Sequence, residues 1–131
     1  MSVVVDASVL VAVTTDAGAS GTWAERIIAD GHLCAPHLVL VEATNVLRRL
    51  ERARELTRLE ATAAQRDLLR LSIDLFPFEP FAERVWELRN DVTSYDAWYI
   101  AIAEALQVPL ATLDGRLTRA AGTRCRFSTP A

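Results

Sequence analysis

Short β-branched and apolar runs alternate along this chain with helical stretches, and no other feature restricts the fold as tightly. Val3-Val4-Val5 is a β-branched run that ends at Asp6. A run of that kind, with no polar alternation, reads as a strand buried on both faces. His32 to Ala35, closed by Pro36, repeats the pattern, as do Ile73 to Phe76 and Val108 to Thr112; Cys125 to Phe127 reads as a small fifth strand. Helices are expected between them. Ala7 to Val13 is the first, and a second is capped by Ser20 and stopped by Asp30-Gly31. A long helix runs from Leu38 to Arg52. Thr57-Arg58-Leu59-Glu60 matches a capping box and starts the next helix, which reaches Leu71. Pro80 opens a helix through Leu88, Thr93-Ser94-Tyr95-Asp96 is a second box match leading to Leu106, and Asp114 starts a short helix. Strands alternating with helices place the chain in the α/β class, with a central, mostly parallel sheet of four to five strands covered on both faces. Residues 1–131 show no linker, repeat or low-complexity stretch, so one domain is expected.

Composition excludes several chemistries. All 14 basic residues are arginine and lysine is absent. A phosphate-binding P-loop requires a lysine, as do Schiff-base catalysis and a Ser-Lys dyad. Every fixed positive charge is instead a planar guanidinium suited to bidentate binding of phosphate or carboxylate. The net charge of −3 is unevenly laid out: residues 48–70 hold seven arginines against Glu51, Glu55, Glu60 and Asp67, and the acids are concentrated elsewhere. An acidic protein does not suit nucleic acid unless bound cations neutralise some of its carboxylates. Cys34 and Cys125 cannot form a disulfide framework, and they fit a reducing compartment. No run approaches the roughly 18 apolar residues of a membrane span, and the start lacks a signal peptide's basic region. A cytoplasmic protein is expected.

Four acids stand out. In an open parallel sheet, function lies at the carboxyl ends of the strands near a reversal of strand order. Asp6 follows the first strand, Asp114 follows the fourth, and Asp96 lies in the first turn of the helix before it. Glu42 lies near a helix start among Leu38, Val39, Leu40, Val41 and Ala43. Asp6 and Asp114 also suit simple N-caps, Asp96 suits the acidic end of its capping box, and Glu42 suits a buried arginine partner. Four carboxylates at one sheet edge repel one another, and a hard divalent cation with oxygen ligands would relieve that repulsion. Ser8, two residues after Asp6, Asn45, three after Glu42, and Thr112, two before Asp114, are placed to orient carboxylates or bind water; local caps account equally well for Ser8 and Thr112, and a backbone hydrogen bond for Asn45.

Other patterns carry less. His32, Cys34 and His37 do not form a standard zinc spacing, and no fourth ligand is evident. Ser8 and Ser94 have no His-Asp support for a serine hydrolase. Trp23, Trp86, Trp98, Tyr95 and Tyr99 read mostly as core or interface aromatics, with base stacking open to an exposed ring. The apolar excess on residues 7–13 and 22–29 belongs either to the core or to a groove for a partner helix.

Four stretches together resemble PIN domains, and among them the VapC-type toxin ribonucleases. They are Val3-Val4-Val5-Asp6-Ala7-Ser8; Val41-Glu42-Ala43-Thr44-Asn45-Val46-Leu47-Arg48-Arg49; Tyr95-Asp96-Ala97-Trp98-Tyr99-Ile100-Ala101-Ile102-Ala103; and Ala111-Thr112-Leu113-Asp114-Gly115-Arg116-Leu117. Their order and spacing match over essentially the whole chain; Trp98 stands where smaller residues are also common. The resemblance implies a three-layer α/β/α fold and an acidic quartet, here Asp6, Glu42, Asp96 and Asp114, that binds Mg²⁺ or Mn²⁺ and cuts RNA. It also implies Thr112 and Asn45 as the family's accompanying hydroxyl and helix asparagine, homodimerisation, inhibition by a VapB-type antitoxin, and a tRNA or ribosomal RNA substrate.

Competing readings separate on single residues. A haloacid-dehalogenase phosphatase needs a second aspartate where Ser8 stands, and a receiver domain needs a lysine. The reading from another class is a catalytically silent PIN-like interaction module, which has no use for four crowded acids.

Overall fold

The computed structural model describes residues 1–130. Its strands are β1 (Ser2–Val5), β2 (His32–Pro36), β3 (Ile73–Phe76), β4 (Leu110–Ala111) and β5 (Phe127–Ser128). They form one sheet in the order β3-β2-β1-β4-β5, and every neighbouring pair is parallel. The helices are α1 (Ala7–Thr15), α2 (Ala19–Asp30), α3 (Val39–Arg52), α4 (Arg58–Arg70), α5 (Ala82–Glu87) and α6 (Ser94–Leu106), with 3₁₀ turns at Glu79–Phe81 and Leu117–Arg119.

The chain enters at the centre of the sheet and steps outward through β2 to β3. It then returns across the sheet to β4. Right-handed crossovers put α1–α4 on one face and α5–α6 on the other. The contacts agree: α1 packs on α2, α3 and α4, whereas α6 packs on β1, β2 and β4. Two covering layers explain why Val4 and Val5 are fully buried although neighbouring side chains point to opposite faces. In α6, Ala97 and Tyr99 through Ala103 are all buried, because that helix is enclosed between the sheet and its neighbours.

Several expected boundaries shift. Ser20 lies inside α2 and does not cap it; Gly18 occupies the cap, and its N–H donates to the Asp16 carboxylate at 2.6 Å. The turn is tight, since a Cβ at Gly21 would lie 1.7 Å from the Asp16 carbonyl oxygen. Pro80 lies in the 3₁₀ turn Glu79–Phe81 that precedes α5. β4 is shorter than Val108 to Thr112, although Thr112 N–H still donates to Ser128 O at 3.1 Å. β5 begins at Phe127, because Leu110 and Ala111 leave only two register partners. Asp114 leads into a turn at Leu117–Arg119 and opens no α-helix. The apolar residues of α1 and the first half of α2 (Val9, Leu10, Val11, Ala12, Trp23 and Ala24) are buried in the core. The large exposed apolar side chains lie elsewhere, among them Met1, Val41, Leu59, Trp86 and Tyr95.

The Thr57 box forms in full. The Thr57 hydroxyl accepts the Glu60 N–H at 3.1 Å and the Glu60 carboxylate accepts the Thr57 N–H at 2.8 Å. Both residues are exposed, so the effect is local. Thr57→Ala is expected to cost about 1 kcal/mol; a melting curve unchanged within error would show that α4 is held by packing alone.

Candidate active site

The point where strand order reverses lies between β1 and β4, and Val5 pairs with Ala111 there. The chain beyond each strand carries an aspartate, so Asp6 and Asp114 reach the same crevice. Asp6 caps α1: its Oδ1 accepts the Val9 N–H at 3.3 Å and the Ser8 hydroxyl at 2.5 Å, while the Thr112 hydroxyl donates to Oδ2. Ser8 and Thr112 tie both chain ends together. The Ser8 hydroxyl oxygen accepts the Leu113 N–H at 3.0 Å, and that of Thr112 accepts the Asp114 N–H at 2.9 Å. Thr112 is fully buried. The cap reading of Asp6 therefore holds, yet it leaves out the bond to Thr112, 106 residues away.

Glu42 enters from the first turn of α3 and accepts the Tyr99 hydroxyl at 2.6 Å. No arginine pairs with it among the described residues. Asp96 enters from the first turn of α6. Its box forms only by half: the Thr93 hydroxyl accepts the Asp96 N–H at 3.2 Å, and the return bond that Glu60 makes in α4 is missing. The Asp96 carboxylate faces a cavity shared with Asp114. Asp114 accepts its own turn's Arg116 N–H at 3.0 Å, and the Arg116 guanidinium lies 3.5 Å away.

Electrostatics link the four. Burial raises the Asp6 carboxyl above its usual range despite the hydroxyl and amide donors. Burial also raises Glu42, and the charges of Asp96 and Asp6 add to it against the Tyr99 hydrogen bond. Asp96 is raised by burial and then by Asp114. Asp114 is the exception: burial pushes it up, but hydrogen bonds and charge from Arg116 hold it below the usual value. Tyr99 is raised out of the ordinary phenol range, first by burial and then by Glu42, so it stays a donor. Asp6, Glu42 and Asp96 thus stand raised with no ion pair among the described residues; the charges of Asp6 and Asp96 act on Glu42, and that of Asp114 acts on Asp96, offset in part by Arg116. As placed, no three acidic, histidine or cysteine side chains among the described residues stand close enough to share one ion. Glu42 and Asp6 are each held by a hydroxyl donor. The donors are all oxygen, the set a hard divalent cation prefers.

The sequence model of the PIN domain family matches residues 3–123. The chain belongs to the PIN-domain family. Ribonuclease VapC1 of Mycobacterium tuberculosis is 39% identical over 125 residues, covering 95% of this chain and 94% of the relative. The crystal structure of VapC20 from the same organism, described as a sarcin-ricin loop cleaving toxin, superposes with a TM-score of 0.66 at 22% identity, covering 94% of this chain and 97% of the other. VapBC2 from Rickettsia felis, solved bound to a fragment of its promoter DNA, gives 0.68 at 12% identity, covering 98% of each chain. At those identities the structures speak for the PIN fold alone.

In this PIN domain Ser8 and Thr112 touch the site directly, whereas Asn45 is exposed on α3 with no side-chain hydrogen bond among the described residues. Tyr99 joins the site although it reads as a core aromatic. A phenol buried in an otherwise apolar helix must find a partner for its hydroxyl, and that signal was available. Of the other aromatics, Trp23 is buried, Trp98 stacks edge-on against Phe78, and Trp86 and Tyr95 are exposed. Cys34 is buried in β2, while His32 is exposed and bonds Asp74 of β3 at 2.6 Å.

Proposed function

We propose that this PIN domain is a metal-dependent endoribonuclease toxin of the VapC type, restrained by a VapB-type antitoxin. The observation that carries the reading is the set of Asp6, Glu42, Asp96 and Asp114 at the β1–β4 switch point, three of them raised by burial, to which neighbouring carboxylates add at Glu42 and Asp96. These four would hold Mg²⁺ or Mn²⁺. The ion, when bound, supplies positive charge that draws in a phosphodiester and makes water a better nucleophile. The chain's own residues supply placement. Thr112 and Ser8 fix the Asp6 carboxylate, Tyr99 fixes that of Glu42, and the Arg116 guanidinium lies beside Asp114, where charge builds on phosphorus. In-line attack by water breaks the bond from phosphorus to the 3′-oxygen, which takes up a proton. The products are a 5′-phosphate and a 3′-hydroxyl.

The relatives named as VapC ribonucleases support the RNA substrate, and the VapBC complex of the same fold supports an antitoxin partner. A homodimer is part of the same reading. The arginines of residues 48–70 are all exposed, and among the described residues only Arg70 pairs with an acid, Asp67, at 3.7 Å. They would contact RNA backbone outside the cut site. No helix is long and apolar enough to cross a membrane among the described residues.

The test is incubation of the pure protein with structured RNA and Mg²⁺ or Mn²⁺, beside an EDTA arm and Asp6→Ala. Cleavage abolished in both arms is the expected result; cleavage indifferent to both rejects the site, and no cleavage of any RNA rejects the enzyme. Tyr99→Phe checks the placement of Glu42 separately. Loss of a donor to a metal-holding carboxylate is expected to weaken Mn²⁺ affinity roughly tenfold or more, read by calorimetry. Unchanged affinity would make Tyr99 a packing residue only.

A further inference from the structure

A cavity of about 510 Å³ opens beside the acidic site, between the turn joining α5 to α6 and the segment from Asp114 to Ala120. Asp96 and Asp114 form its wall on the side of the site, and Asp91 lines it as well. Arg89 and Arg116 also line it, and Val92 and Leu117 give it an apolar surface. A volume of this size is in the range of small-ligand sites. The mixture matters as much as the volume. An inorganic anion needs only the guanidinium groups, whereas a nucleotide presents a charged phosphate and a flat apolar base together.

Arg89 is the informative residue. It has no carboxylate partner among the described residues. Yet it is held in place: its guanidinium lies 4.5 Å from the centre of the Trp86 ring, and its Nη1 donates to the Trp86 carbonyl oxygen at 2.8 Å. A guanidinium has five N–H donors, so most of those on Arg89 remain available. Trp86 is 66% exposed, too exposed to be explained by packing, and its stacking on Arg89 costs that arginine much of its freedom in advance of any ligand. A cation fixed beside three carboxylates, and ion-paired with none of them among the described residues, is poised for an external anion.

We propose that this cavity is a nucleotide subsite holding the RNA residue next to the scissile phosphodiester, with Arg89 contacting its phosphate and Trp86 acting as the positioning residue that fixes Arg89. The proposal rests on the ribonuclease reading for the identity of the strand, and it names where beside the cut that strand is gripped. The apolar wall at Val92 and Leu117 receives the base or the ribose. Arg116, shared with Asp114, connects the subsite to the acidic centre.

The experiment compares the wild type with Arg89→Gln, Trp86→Leu and, as a charge control on the far side of the molecule, Arg26→Gln. Affinity for a single-stranded RNA oligonucleotide is measured by fluorescence anisotropy in EDTA across a salt series, and cleavage is measured separately with Mn²⁺. Arg89→Gln is expected to weaken binding roughly tenfold and to lower the slope of log affinity against log salt by about 0.7, the effect of one lost phosphate contact. In cleavage the loss falls on KM more than on kcat, and the mapped RNA ends shift in relative use. Trp86→Leu gives a smaller loss of affinity with the salt slope kept, since it loosens Arg89 without removing its charge. Arg26→Gln changes neither. Affinity and salt slope equal to wild type in Arg89→Gln overturn the subsite, as does an equal loss in Arg26→Gln, which would mark a general charge effect. Competition by inorganic phosphate as effective as by a mononucleotide would reduce the cavity to an anion site and overturn its nucleotide assignment. A wild type that binds RNA but never cuts it defeats the ribonuclease reading, while the binding comparison still decides the subsite.

Discussion

Asp6→Asn is expected to lower RNA cleavage by roughly a thousandfold or more, an effect in line with losing a group that stabilises transition-state charge. Asp6 sits at the join of the sheet's central strand and α1, and both its oxygens are engaged by donors from Ser8, Val9 and Thr112. Asparagine keeps the shape and an accepting oxygen but removes the charge. Burial already disfavours that charge in the free protein. The variant should therefore melt, without added metal, at the same temperature as the wild type or higher, while its response to Mg²⁺ or Mn²⁺ is lost. Initial rates and melting curves measured on one preparation separate the outcomes. A variant that cuts RNA within tenfold of the parent removes Asp6 from the chemistry.

Divalent cation is expected to stabilise the wild type strongly, and more so as pH rises. Asp6, Glu42 and Asp96 have folded-state values above their usual 3.8, 4.5 and 3.8, with burial the first cause in each. The folded chain then holds more protons than the unfolded one within that window. By linkage, the stability these groups contribute is fully present below the ordinary carboxylate values and is lost as pH rises through the raised ones. Asp114, Glu60 and Glu104 run the other way, since their values are lowered, so the site's own share is read as a difference: the metal-free wild type should lose melting temperature relative to Asp6→Asn as pH climbs above the usual carboxylate range. A cation that binds only the folded state at a hundred times its Kd adds about 2.7 kcal/mol, a rise on the order of 10 °C for a chain of this size. Calorimetric scans over a pH series, with and without Mg²⁺ or Mn²⁺, make the check. A melting temperature flat in both variables would mean that the carboxylates neither repel one another nor bind an ion.

Legibility in the sequence differed by the range of the interaction. The Thr57 box read correctly because its bonds span three residues, and residues 57–60 carry both partners. The equally good match at Thr93 misled in one respect: the carboxylate that should close it is withheld by the site. Ser20 misled for a local reason that the pattern did not contain, since Gly18, its N–H held by the Asp16 carboxylate, takes the cap position and α2 starts at Ala19. Cys125 was expected in a strand that in fact begins two residues later, where β4 provides partners.

What the chain's own order of residues determined is the set of parts: buried strands from β-branched runs, their separation by helices and hence a parallel sheet, and an acid after the first and fourth strands. Those are matters of burial and torsion within a few residues, which local side chains decide. Only the folded sheet decided that β1 lies beside β4. That adjacency brings Thr112 to Asp6, and the packing of α6 brings Tyr99 to Glu42, 57 positions apart. The stacking of Arg89 on Trp86, local though it is, mattered only once the cavity beside it had formed. Strand order is chosen by how whole layers cover each other, and many local patterns are compatible with more than one order, so such contacts have no short-range signature to read.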